Sequence, residues 1–170
     1  MNSEFNKEEL KIRRLGPLDL EAVLEIEKSS FALPWSREAY ENELTRDHLA
    51  HFIGCFYQGR MLAFAGYWLL LDEGHIANVA VHPDFRRQGL GELIMTHLIT
   101  LCKSQGGRKM TLEVRKSNTS AQNIYRRLGF EDAGLRPGYY TDNNEDALIM
   151  WANIAAPAAR NGEWRMENGE

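Results

Sequence analysis

Residues 78–94 read NVAVHPDFRRQGLGELI, and the period of the chain changes within them. An apolar run ends at Val81, His82-Pro83 interrupts it, and Arg86-Arg87-Gln88-Gly89-Leu90-Gly91 forms a basic, glycine-containing turn. From there Leu90, Leu93, Ile94, His97, Leu98 and Leu101 fall at helical spacing until Gly106-Gly107 supplies a stop. A strand that passes through such a turn into a strong helix predicts an anion site. The first amides of a helix lack intrahelical acceptors, its dipole favours negative charge there, and glycines let a diphosphate approach the backbone. A glycine turn flanked by a solvated arginine pair fits the same residues, so the turn alone does not decide. Neither the P-loop pattern nor the dinucleotide-binding glycine fingerprint is present, which disfavours ATP and NAD.

Working outward, Met110, Leu112 and Val114 alternate with Thr111, Glu113 and Arg115, a strand that puts Glu113 on the face opposite the three apolar residues. Ser117 or Asn118 can cap a helix bearing Ala121, Ile124, Tyr125 and Leu128, ended by Gly129. Strands near residues 130–136 and 147–154 bracket a polar loop, PGYYTDNNED. Upstream, 75–81 reads as a strand, and 51–57 and 61–71 as a hairpin turning at Gln58-Gly59-Arg60. A helix follows Pro17, a second follows Ser36, the apolar loop FALPW joins them, and a short strand spans Leu10 to Leu15. The expected organisation is a flexible N-terminus at 1–9, one α/β domain at 10–154 and a flexible tail at 155–170.

Composition limits the partners. With 20 Lys and Arg against 24 Asp and Glu, the chain of 170 residues carries a formal charge of -4, which argues against neutralising long stretches of nucleic acid phosphate. A basic protein tail suits it better. Cys55 and Cys102 stand alone in apolar stretches, and the histidines are scattered, so no metal site is expected. No apolar leader segment and no membrane-length apolar run occur, and a cytoplasmic protein with no membrane partner is the expectation.

The turn at 86–91, together with LEVRKSNTSAQNIYRRLGF at 112–130, GYYTDNNEDALIM at 138–150 and FALPWS at 31–36, resembles the GNAT superfamily of N-acetyltransferases. Within it, the chain is similar to the bacterial ribosomal-protein-alanine N-acetyltransferases, the RimI group. The likeness covers roughly residues 10–152, and the spacing Glu113, Asn118, Tyr125 is more specific than the glycine turn. It implies the GNAT fold: a mixed, mostly antiparallel central sheet of about seven strands with helices on both faces. It implies acetyl-coenzyme A as co-substrate, with Val79, Ala80 and Val81 offering backbone hydrogen bonds to the pantetheine arm. Arg87, Gln88, Gly89, Leu90, Gly91 and Glu92 would surround the pyrophosphate, and Asn118 would lie near the thiol end.

Acetyl transfer to an amine needs a neutral nucleophile, oxyanion stabilisation and a proton for the departing thiolate. The resemblance gives Glu113 the role of general base and Tyr125 that of general acid. It also places Trp35, Tyr139 and Tyr140 around the substrate peptide, with Asp142, Glu145 and Asp146 nearby. Each residue has a plainer reading as well: Glu113 as a strand carboxylate paired with Arg115 or Lys116, Tyr125 as a core tyrosine, Asn118 as a helix cap. The expected partner is the N-terminal peptide of a ribosomal protein, beginning with alanine. Lysine side chains, other N-termini, small amines, or a non-catalytic acyl-coenzyme A sensor are the alternatives. One departure stands out: where the RimI group commonly has YYPT and a glycine turn, this chain has YYTDNNED.

Overall fold

The structure, a computed structural model, describes residues 5–45 and 48–155. Its strands are β1 (Lys11–Arg14), β2 (Ala50–Tyr57), β3 (Arg60–Leu70), β4 (Glu73–Val81), β5 (Lys109–Arg115), β6 (Glu131–Tyr140) and β7 (Glu145–Asn153). Helices α1 (Leu20–Ser30) and α2 (Arg37–Thr45) precede β2, α3 (Leu90–Ser104) links β4 to β5, and α4 (Thr119–Arg127) follows β5. The seven-stranded sheet has the order β1-β2-β3-β4-β5-β7-β6. Among the described residues only β4 and β5 pair in parallel, as the α3 crossover between them requires.

Helices cover both faces. On one face α3 buries Leu90, Ile94, Met95, Leu98 and Cys102 against Ile53, Ala65, Met110, Leu112 and Val114. On the other, Val23, Leu24 and Ile26 of α1 and Tyr40 and Leu44 of α2 cover Phe52, Phe56, Met61, Phe64 and Ala80. A fully buried Leu or Ile contributes about 1.5–3 kcal/mol, so these two layers hold the sheet. Strands β2 and β3 are buried on both faces, which is why their sequences are nearly continuous apolar runs instead of alternating ones.

One feature of the sheet creates the site. β4 and β5 pair only through Glu73–Lys109, Gly74–Met110 and His75–Thr111. Immediately beyond, the register against β3 skips Ala77, since Gly66 faces Asn78 while Tyr67 faces Ile76; this is a β-bulge, which bends its strand. β4 then follows β3 as far as the Ala63–Val81 pair, while β5 follows β7 as far as Arg115–Ala147. The sheet opens between them.

Three expectations are corrected or fall outside the described residues. The stretch 137–146, read as a loop, is mostly hairpin: β6 runs to Tyr140 and β7 starts at Glu145. An irregularity between Arg136 and Tyr140, with Gly138 at φ 61, hid the strand from an alternation test. Residues 5–9 are not a loose lead: Phe5 is buried between Tyr57 and Phe85, and Asn6 caps a short helical turn. Residues 1–4, and the 156–170 part of the expected tail, lie outside the described residues.

Candidate functional site

Where β4 and β5 part, two cavities of about 680 and 400 Å³ meet, with Ser30, Phe31, Val79, Asn118 and Tyr125 lining both. The larger faces α3 and α4; the smaller faces α1 and the β6–β7 hairpin. A passage through the sheet of this kind lets two molecules approach each other from opposite faces.

Arg87, Gly89, Leu90, Gly91 and Glu92 line the larger cavity beside Val79, Ala80 and Val81. Gln88, grouped with them from the sequence, is not among the lining residues. Arg87 has φ 61 and Gly89 φ 83, so alternate residues of the turn are left-handed and the chain curls into a concave rim of amides. Gly89 caps α3 with no side-chain hydrogen bond. Among the described residues no acceptor meets the amides of Leu90, Gly91 and Glu92, which suits an anionic ligand at this end of the helix. The two arginines separate in role. Both are exposed and both line the larger cavity, but Arg86 turns back to the Val81 carbonyl at 3.0 Å and the Ser30 hydroxyl at 3.2 Å, tying the end of β4 to α1. Glu92 carries an ion pair to Arg127 at 3.1 Å.

At the junction, Tyr125 stands on α4 with its ring centroid 6.0 Å from that of Phe130. No described residue hydrogen-bonds its hydroxyl, so the satisfied core tyrosine considered from the sequence is not what the structure shows. Burial, with Tyr140 adding, pushes its phenol up to about 12. Glu113, on β5, lines the smaller cavity and pairs with Arg136 of β6 at 3.2 Å; neither Arg115 nor Lys116 is its partner. Asn118 is the N-cap of α4, its Oδ1 accepting from the Ala121 amide at 3.2 Å, and it faces both cavities from that position. Cys55 and Cys102 are buried, and burial pushes each thiol up to about 11, so neither is an activated nucleophile. Among the described residues no group of three or more His, Cys, Asp or Glu could hold a metal ion, and no helix is long and apolar enough to cross a membrane.

Trp35, Tyr139 and Tyr140 come together on the smaller cavity, with Trp68, which the sequence reading missed, stacked on Trp35 at 5.9 Å and 8°. The nearby carboxylates do other work. Arg115 binds Asp142 at 2.9 Å and Glu145 at 3.2 Å and lies 4.0 Å from the Tyr140 ring centroid. Asp146 accepts from the Gly138 amide. Asp142 and Glu145 fasten the hairpin to β5, and Asp146 braces the hairpin itself, instead of standing ready for a basic peptide. Hydrogen bonds from Ser117 first, then Arg115 and Asn143, hold Glu145 down at about 2. A carboxylate depressed in the fold contributes stability above its unfolded value of 4.5, lost as pH falls through about 2. Thermal melts should therefore place Glu145→Gln below the wild type at neutral pH, with the gap closing by about pH 2. A constant gap across that range would mean the latch is not ionic.

Glu27 and Asn78 were also missed. Both line the smaller cavity, and the only sequence signal was a carboxylate on the apolar stripe Val23, Leu24, Ile26.

Comparison with known proteins fits this geometry. Residues 20–130 match the Acetyltransferase (GNAT) family. The ribosomal protein bS18-alanine N-acetyltransferase of Escherichia coli (strain K12) is 40% identical over 141 residues, which span 82% of this chain and 94% of that protein. A crystal structure of the ribosomal-protein-S18-alanine N-acetyltransferase from Escherichia coli superposes with a TM-score of 0.80 at 38% identity, covering 91% of this chain and 99% of that one. The PaiA N-acetyltransferase from Thermoplasma acidophilum in complex with coenzyme A superposes with a TM-score of 0.71 over 85% of this chain and 98% of its own, and at 19% identity the likeness is one of fold.

Proposed function

The chain belongs to the GNAT acetyltransferase family, an acyltransferase family that uses acetyl-coenzyme A, and from that premise we propose that it acetylates the N-terminal alanine of a small-subunit ribosomal protein. The observation that carries this reading is 40% identity, over 82% of this chain and 94% of the relative, to the Escherichia coli enzyme named for that reaction. In this reading Arg87, Gly89, Leu90, Gly91 and Glu92, with Gln88 completing the turn, hold the pyrophosphate. Val79, Ala80 and Val81 offer backbone groups to the pantetheine arm, and the peptide enters along Trp35, Tyr139 and Tyr140. The site sits in the cytoplasm, where ribosomal proteins are made.

The chemistry follows from where the two titratable groups stand. An α-ammonium has a pKa of about 7.7–8.0, so it gives up its proton readily near neutral pH, and Glu113, acting through water, takes it. The free amine attacks the thioester carbonyl carbon; a C–N bond forms, and the oxyanion leans on an amide of the opened β4 edge near Val81. As the oxyanion collapses the C–S bond breaks and Tyr125 gives its proton to the sulfur, while the acylated nitrogen sheds its extra proton through water, which restores the phenol. Its raised pKa keeps it in the donating form at neutral pH. No acyl-enzyme is needed.

Mass spectrometry of acetyl transfer to two peptides tests the reading: one with a free N-terminal Ala and basic residues behind it, the other its N-terminally blocked twin containing lysine. Modification of the free-Ala peptide alone is expected. Modification of the blocked twin would replace this reading with a lysine acetyltransferase, and silence on both with acetyl-coenzyme A still bound would point to another amine or to a sensor.

A further inference from the structure

Glu27 occupies an expensive position. It lies in the last turn of α1, where the helix dipole disfavours a carboxylate, and it is 1% exposed. Burial, its largest influence, pushes the carboxyl above its ordinary value even though three donors pull the other way. An apolar residue of similar volume would cost the fold nothing of this kind. Local rules broken this way are expected where a site needs the group.

The three donors show what the group does. Glu27 Oε1 accepts the Trp35 amide at 2.9 Å. Oε2 accepts the Tyr40 hydroxyl at 2.7 Å and Asn78 Nδ2 at 2.8 Å. Asn78 also donates to Tyr40 Oη at 2.8 Å, and its Oδ1 accepts the Val79 amide at 3.2 Å. Among the described residues, the bond to Glu27 is the only hydrogen bond made by the main chain of residues 32–35. Trp35 thus carries the stacked aromatic wall of the smaller cavity on a loop tethered at one point, and the same carboxylate grips the bulge where β4 leaves β5.

We infer that Glu27 is a positioning residue for the amine-bearing substrate: its carboxylate fixes the Trp35 wall to the bulge of β4, so that the incoming amine meets the opened strand in one register. This rests on the functional reading above only in taking a peptide as the occupant of that cavity. The network reaches the side assigned to the other substrate only at the Val79 amide, and the amides at the start of α3, which hold that substrate's pyrophosphate, are not part of it. A defect in Glu27 therefore divides the two substrates.

Steady-state kinetics of Glu27→Gln is the test. Gln keeps an acceptor for Trp35 but turns an NH2 donor toward the Asn78 donor, so the peptide KM should rise about tenfold or more while kcat falls less and the acetyl-coenzyme A Kd holds. The double variant Glu27→Gln with Asn78→Asp reverses the polarity of that contact and should bring the peptide KM back toward the wild type. Tyr40→Phe, a milder cut of the same network, should shift KM in the same direction and serves if Glu27→Gln folds poorly. An unchanged peptide KM in folded Glu27→Gln or Tyr40→Phe overturns the inference, as does an equal loss of acetyl-coenzyme A affinity, which would mark a general packing role. If the wild type acetylates no peptide, the functional reading fails separately. The positioning is then decided by acrylamide quenching of the Trp35 fluorescence, isolated with Trp35→Phe: it should rise in Glu27→Gln, and equal quenching overturns the inference.

Discussion

Tyr125→Phe is expected to lower kcat by about 10²- to 10⁴-fold, the usual scale for loss of a general acid, with acetyl-coenzyme A affinity nearly unchanged. The substitution removes one oxygen that no described residue hydrogen-bonds, and it leaves the ring against Phe130, so stability should not fall. Because the phenol is pushed up to about 12, the wild-type acid should stay competent through neutral and moderately alkaline pH, and kcat should show no alkaline decline from this group in that range. Glu113→Gln should also lower turnover. Its pair with Arg136 is half-exposed on the arginine side, and such pairs contribute about 0–1 kcal/mol, so the loss would be chemical and not structural. The double variant should fall short of the product of the two single effects, since acid and base serve one reaction coordinate. Thiol release read with a disulfide reagent gives kcat, and calorimetry gives the Kd. A collapse of acetyl-coenzyme A affinity in Tyr125→Phe would remove the phenol from its assigned role and place it in cofactor binding.

Features set by local sequence spacing were legible in advance, and those set by long-range packing were not. The turn at 86–91 announced itself because glycine spacing, a change of period and basic residues coincide within a few positions. The face of Glu113 followed from simple alternation along β5. Arg86 and Arg87 looked equivalent in the sequence, and both line the larger cavity, yet of the two it is Arg86 that is tied to Ser30 and Val81. Of the two, Arg87 has the left-handed φ, a property that residue type did not signal. The acids of the 142–146 stretch looked available to a basic peptide because their partners, Arg115 on β5 and Gly138 across the hairpin, are set by strand pairing that residue type does not show. Glu27 escaped notice for a similar reason: its partners Tyr40 and Asn78 are brought to it only by the stacking of α1, α2 and the sheet. The opening between β4 and β5 comes from a bulge that displaces a single residue, and nothing in the residue types at 76–78 marks it.

Gly91→Ala is expected to leave the protein as stable as the wild type, or slightly more so, and yet to weaken acetyl-coenzyme A binding by about tenfold or more. Gly91 has no left-handed backbone requirement, and a Cβ there would meet Ile124 Cδ1 at 3.5 Å and Val81 Cγ2 at 3.9 Å, ordinary van der Waals separations. Replacing a helical glycine with alanine generally stabilises by up to about 1 kcal/mol. Nothing within the protein therefore demands glycine at this position; its Cα faces the larger cavity, and a methyl group would hold an anion away from the amides of the first turn. Hydrogen bonds to charged groups contribute about 1.5–3 kcal/mol each, and losing one is enough for the stated change. Gly89→Val separates the two causes. At φ 83 a β-branched residue is strained by about 1–2 kcal/mol, so that variant should lose melting temperature and affinity together. Melting curves and calorimetry on both variants would decide the point: affinity lost without stability in Gly91→Ala locates the phosphates on the α3 amides, and an unchanged Kd in that variant would move them elsewhere.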